Sequence, residues 1–313
     1  MSMQAPDDQV LLETAQNDPE NVDIDAVVAL LDAEQGQVRT TALQCLRVVA
    51  ADDPGRVAAV SDSVIERLDD EFPVVGSIAT AVLAPVADEH PDAVRPALPL
   101  LVDKLDEHPP QTGHRAVRAL TPLLEADPTE LVPAADALLD VVADPPAVWA
   151  PESAELRERP SEQRDAITDL LASRRDEIAK DRARVNGIRE FAAHALVEVT
   201  ATAPDAIADR LDELSPALSN DPPLARAATI DAIANVAADN PTAATPTVNA
   251  LIDRLADDAE FVRAHAVRAL GFAEATDAIR PLRELADEGD DEFHDLAEET
   301  ADWLAERTDW SAD

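Results

Sequence analysis

The stretch Asp257–Phe272, DDAEFVRAHAVRALGF, reads as an acidic turn followed by a helix. Its residues Val262, Ala266, Ala269 and Leu270 fall at spacings that a 3.6-residue period places on one stripe. With Arg263 as an anchor, the same helix recurs upstream at Arg226, Arg189, Gly113, Gly76 and Arg39, in steps of 37, 37, 76, 37 and 37 residues. Fifteen residues past five of the anchors stands a proline (Pro241, Pro204, Pro128, Pro91, Pro54), and the last copy has Ala278 there. Proline lacks the N–H that a helix interior uses and turns its predecessor away from helical angles, so it closes each copy. Two markers that keep one spacing define an internal repeat.

The columns of the repeat assign a task to each position. Three residues past the anchor stand Ala42, Ala79, Ala116, Ala192, Thr229 and Ala266, and seven past it Leu46, Leu83, Leu120, Leu196, Ile233 and Leu270. Ten past it stand Val49, Val86, Leu123, Val199, Val236 and Ala273. Offsets of 3, 7 and 10 share one helical face, with the small column admitting a neighbouring helix and the aliphatic columns filling the space between. A two-helix repeat of this length, with Val-Arg opening the second helix and Asp before it, resembles HEAT repeats and other armadillo-like solenoids. It also resembles the short HEAT-like repeats named after phycobilisome lyases. The resemblance covers nearly the whole chain. It implies an all-α fold, a right-handed α-solenoid of about seven HEAT-like helical hairpins over residues 1–313. For function it implies little, because scaffolds of this kind host many activities.

Asp and Glu outnumber Lys and Arg by 65 to 25, a formal charge of −40, and 46% of the chain is apolar. Lys104 and Lys180 are the only lysines. Acid excess with lysine nearly absent resembles adaptation to a salt-rich cytoplasm, as in halophilic archaea, where a Debye length of about 3 Å at molar salt screens self-repulsion. Apolar residues in regular columns argue against an acidic disordered chain. The single cysteine, Cys45, sits in a small inward column and can form no disulfide within the chain. The N-terminus lacks a basic region followed by an apolar one, and no apolar run has the ~18 residues of a membrane span, which predicts a cytoplasmic protein without a membrane partner.

In chain order, residues 1–20 predict a short N-terminal cap closed at Asp18-Pro19. Three hairpins follow, with Pro85 and Pro122 expected to kink or shorten the second helices of two of them. Residues 143–186 read either as a divergent repeat or as an insertion, and residues 155–190 within and beyond them carry nine basic residues against nine acidic ones. Regular repeats then resume, and residues 278–313 predict a C-terminal capping hairpin.

Chemistry is hard to find in this sequence. His194 and His265 fall at different columns one to two repeats apart, and no His-Glu dipeptide occurs of the kind a di-iron hydroxylase of the resembling family uses, so no metal or cofactor is expected. No GxGxxG, phosphate-binding loop or nucleophile elbow is present, and no enzyme is expected. The anchor arginines have a structural reading, pairing with Asp32, Asp221 and Asp257 or Asp258 in the preceding turns. Charge divides unevenly, however. Over the six second helices, from one residue before the anchor to eleven after, eight arginines face four acids, a local +4 in a chain of −40. Burial alone would remove both signs. In the resembling solenoids the second helices line a concave binding face. There the outward column five past the anchor carries Arg118, His194, Asp231 and Arg268, with Arg115 and His265 two past theirs. These six are the candidate groove of a non-enzymatic scaffold whose partner is another protein, acidic and cytoplasmic. The alternatives are a nucleic-acid-associated HEAT protein, which −40 and lost counterion release at high salt oppose, and a chromophore- or cofactor-handling factor, suggested by the lyase resemblance alone.

Overall fold

A computed structural model describes residues 8–146, 167, 172, 174–287 and 292–310, and among them there are helices, turns and no strand. The longer helices are α1 (Asp8–Asn17), α2 (Gly36–Asp52), α3 (Pro73–Glu89), α4 (Pro110–Ala126) and α5 (Ala135–Ala143). They continue with α6 (Arg175–Thr202), α7 (Pro223–Asp239), α8 (Glu260–Phe272), α9 (Ile279–Ala286) and α10 (Glu292–Trp310). Helices α2, α3, α4 and α7 are each 17 residues long and begin three residues before their anchors. Three of them open on a proline, Pro73, Pro110 and Pro223, whose fixed φ suits a first turn where no N–H is required.

The closing proline acts through the residue before it. Asp53, His90, Ala203 and Asn240 all take φ between −134° and −142°, outside the helical region, and Pro54, Pro91, Pro204 and Pro241 begin the next element. Where Ala278 replaces the proline, the helix ends differently. Helix α8 is only 13 residues long and stops through Glu274, whose φ of 49° is left-handed. The Ala275 N–H reaches back to the Leu270 carbonyl at 3.1 Å, the bond that closes a helix with a left-handed cap. Pro85 and Pro122 do not end their helices. Each helix runs four residues further, to Glu89 and Ala126. Packing of the buried column on both sides of each proline, Leu83 and Val86 or Leu120 and Leu123, holds the last turn despite the missing N–H.

The first element of each hairpin is shorter than its apolar pattern predicts. The span 94–105 divides into Pro91–Val94, a 3-10 turn Arg95–Ala97, Leu98–Asp103 and a second 3-10 turn Lys104–Asp106. Pro241–Thr247, Val248–Asp253 and Arg254–Ala256 repeat the pattern. Internal prolines such as Pro96, Pro99, Pro133 and Pro246 break the continuous hydrogen-bond ladder, and short 3-10 turns bridge the gaps.

The chain divides into two compact units. The first comprises Met1–Asp127 and Pro146–Val185, the second Pro128–Pro145 and Asn186–Asp313. In the first, α1 packs on α2, and α3 lies between α2 and α4. Ala42, Leu46, Val49, Ala79, Leu83, Val86, Ala116, Leu120 and Leu123 are all buried, so the predicted columns are the core. Each such leucine or valine contributes about 1.5–3 kcal/mol by leaving water. In the second unit α7 packs on α8, and α10 packs on both α8 and α9. The Asn235 amide ties α7 to α6, donating to the Val197 carbonyl at 3.1 Å and the Thr200 hydroxyl at 3.2 Å. Most of the expected divergent repeat or insertion at 143–186 lies outside the described residues, as do residues 1–7 of the N-terminal cap and 288–291 and 311–313 of the C-terminal one.

Candidate functional site

The anchor arginines form a structural ladder, and its partners differ from those read in the sequence. Arg39 donates from Nη1 to the carbonyls of Ala33 and Glu34 in its own turn, at 2.8 and 3.1 Å. Its other edge grips Asp70 in the next turn, Nε and Nη2 each at 2.7 Å from a carboxylate oxygen. Arg226 likewise donates to the Asp221 carbonyl and, at 2.6 Å, to the Asp257 carboxylate 31 residues on. Arg189 pairs with the carboxylate of Asp221, and Arg263 donates to the Asp257 carbonyl. The upstream turn therefore offers its backbone, and the carboxylate comes from the following repeat. Asp32, expected opposite Arg39, lies instead 4.0 Å from Arg67. Burial pushes the Asp70 and Asp257 carboxyls up. Hydrogen bonds from Arg39 to the first and Arg226 to the second, with the backbone N–H of Phe72 and Ala259, outweigh it and hold both below the usual carboxylate range. At Gly76 an added Cβ would stand 2.5 Å from the Leu68 carbonyl oxygen, so no arginine fits this anchor position.

The six candidate groove residues fall into the two units. In the first, Arg118 is exposed and Arg115 half-buried on α4. Arg115 reaches to α3, donating from Nη1 to the Ser77 hydroxyl at 2.9 Å and its carbonyl at 3.1 Å. Burial lowers the Arg115 pKa first, and the charges of Arg47 and Arg184 lower it further. In the second unit three candidates meet at one atom. Asp231 Oδ1 on α7 accepts from His265 Nδ1 at 2.6 Å and from Arg268 at 2.7 Å, both on α8. The acid of this column is thereby held between two groups of the next repeat. His194, exposed on α6, donates from Nδ1 to the Glu190 carbonyl at 2.7 Å and joins no candidate partner through that bond.

The sequence reading missed a cleft beside Arg268. It has a volume of about 270 Å³ and is lined by Gly271 and Phe272 of α8 and by Leu296, Thr300 and Trp303 of α10. Phe272, Leu296 and Trp303 are 44%, 38% and 42% exposed. The signal was available, since Leu296, Thr300 and Trp303 lie four and seven residues apart on one helical stripe. It falls within the predicted C-terminal capping hairpin, where the neighbouring stripe Ala297, Ala301 and Leu304 supplies the buried contact. Among the described residues no cluster of three His, Cys, Asp or Glu is placed to hold a metal, and no helix is long and apolar enough to cross a membrane.

Comparison with known proteins agrees with this geometry. Residues 211–301 match the family model of HEAT repeats. This stretch is similar to HEAT repeats. The match covers α7, α8 and α9, the part of the HEAT-like array whose anchors, closing residues and Asp–Arg ladder are described above. An engineered protein solved by a structural genomics consortium is similar in fold, with a TM-score of 0.50 and 19% identity over 81% of this chain and 97% of its own. A structure from work on a phosphorylation switch in the interaction between cadherin and beta-catenin aligns at a TM-score of 0.42 and 15% identity, over 95% of this chain and 64% of that one. The likeness to the engineered protein concerns the fold alone. No curated protein sequence matches the chain.

Proposed function

We propose that this HEAT-repeat chain is a non-enzymatic scaffold that binds an acidic cytoplasmic protein on the exposed faces of its long helices, with Arg115, Arg118, His194, Asp231, His265 and Arg268 contributing. One observation carries the reading. In a chain of −40, these faces present Arg47, Arg118 and Arg268 to solvent, and the acid of the same column, Asp231, is already held by His265 and Arg268. Arginine is enriched at the energetic centres of interfaces, and charge complementarity selects the partner and speeds encounter. The helical-repeat fold supports the class of function without naming the partner.

The test is a pair of charge reversals at one fixed, high salt concentration. Arg118→Glu and Arg268→Glu, one in each unit, are expected to weaken capture of a partner from a salt-rich lysate while helicity is retained, because both side chains are exposed. Asp103→Arg and Asp253→Arg, on the first elements of their hairpins, are the controls and should leave capture unchanged. Loss of capture by the control pair alone would place the binding face elsewhere.

A further inference from the structure

The first unit contains a gathering of positive charge that the carboxylate-rich composition makes unexpected. Arg115 on α4 stands within electrostatic reach of Arg47 on α2 and Arg184 on α6, and its neighbour His114 within reach of Arg184 and of Arg118, also on α4. Arg115 is committed to neutral acceptors, the hydroxyl and carbonyl of Ser77, and Arg184 bonds Asp181 at 2.6 Å. Burial lowers the His114 pKa, and Arg184 and Arg118 lower it further; among the described residues no carboxylate acts in the other direction on either His114 or Arg115. With 65 acids against 25 Lys and Arg, pairing each cation would have been easy. Like charges held together are unfavourable, and an anion placed among them relieves the repulsion.

We propose that Arg47, His114, Arg115, Arg118 and Arg184 anchor an Asp- and Glu-rich segment of a partner protein; this rests on the reading that the exposed helix faces bind protein. The cations come from three helices, a wider spread than one small oxyanion can touch. Helix α3, packed between α2 and α4, offers Ser77 and Ala81 four residues apart, small side chains over which an extended chain approaches closely. Guanidinium forks match side-chain carboxylates with two parallel hydrogen bonds. Single-stranded nucleic acid is the poorer fit, since the group includes no Phe, Tyr or Trp ring on which a base could stack and the total charge of −40 opposes a dense polyanion.

The experiment measures binding of a fluorescent oligoglutamate peptide to the full chain by anisotropy, at fixed salt. Oligoglutamine, inorganic phosphate and a single-stranded oligodeoxynucleotide are the parallel probes. Oligoglutamate should bind saturably and oligoglutamine should not, and Arg47→Gln with Arg118→Gln should weaken the affinity by about tenfold or more. Arg118→Gln alone, at an exposed position, serves if the pair fails to fold. Absence of oligoglutamate binding, or binding indifferent to these substitutions, overturns the proposal. So does tighter binding of phosphate or the oligonucleotide through the same arginines. If partner capture still responds to Arg118→Glu while oligoglutamate does not bind, the acidic anchor falls and the scaffold reading stands.

Discussion

Asp257→Asn tests whether the ladder between repeats contributes stability that ordinary surface pairs do not. The Asp257 side chain is 2% exposed, and its carboxylate accepts from Arg226 at 2.6 Å, from Arg254 at 3.3 Å and from the Ala259 N–H at 3.0 Å. Removing one partner of a buried pair costs about 3–5 kcal/mol, since the other charge stays buried and unpaired. Arg226 keeps its bond to the Asp221 carbonyl and some contact with solvent, which favours the lower end, about 3 kcal/mol. A double-mutant cycle with Arg226→Met should give a coupling of about 2 kcal/mol. Urea is the denaturant of choice, because guanidinium chloride would screen the charges under test. The comparison pair is Arg283–Asp302, 3.3 Å apart with both side chains more than half exposed, whose coupling should stay below about 0.5 kcal/mol. Equal couplings for the two pairs would refute the ladder as a source of stability. The pH dependence gives a second check. The folded Asp257 carboxyl lies below its ordinary value, so its contribution is present above the unfolded pKa and is lost as pH falls through the folded one. Below about pH 4 the Asp257→Asn protein should therefore lose stability less steeply than the parent.

Other outcomes follow from the same structure. Gly76→Ala should destabilise by about 1–3 kcal/mol in urea melts, because the added Cβ meets the Leu68 carbonyl oxygen and backbone must move; an unchanged midpoint would mean the close approach is absent in solution. Leu120→Ala, at a fully buried column position, should cost about 2–5 kcal/mol, and a loss below about half a kcal/mol would contradict the burial. With a net charge of −40, dialysis to low ionic strength should reduce helical circular dichroism, whereas full helicity and an unchanged melting temperature there would remove the case for salt adaptation.

Period and proline made the repeat legible without coordinates. The columns at Ala42, Leu46 and Val49 and their counterparts are buried as read, because one helical face must leave water and only small and aliphatic side chains fill it. Helix ends were legible for the same reason, since proline acts on its neighbour locally and needs no tertiary partner. What the sequence left open depended on contacts between repeats. Asp70 as the partner of Arg39 lies 31 residues away, and linear proximity pointed instead to Asp32. Whether Arg47 and Arg184 stand near Arg115 depends on how successive helices stack, as does the meeting of His265 and Arg268 on Asp231. The cleft at Trp303 arises because α10 turns a different stripe toward α8 than its largest apolar residues predict. Periodicity says which residues share a face of one helix; which face meets the neighbour, and which charges then converge, is decided only when the repeats pack.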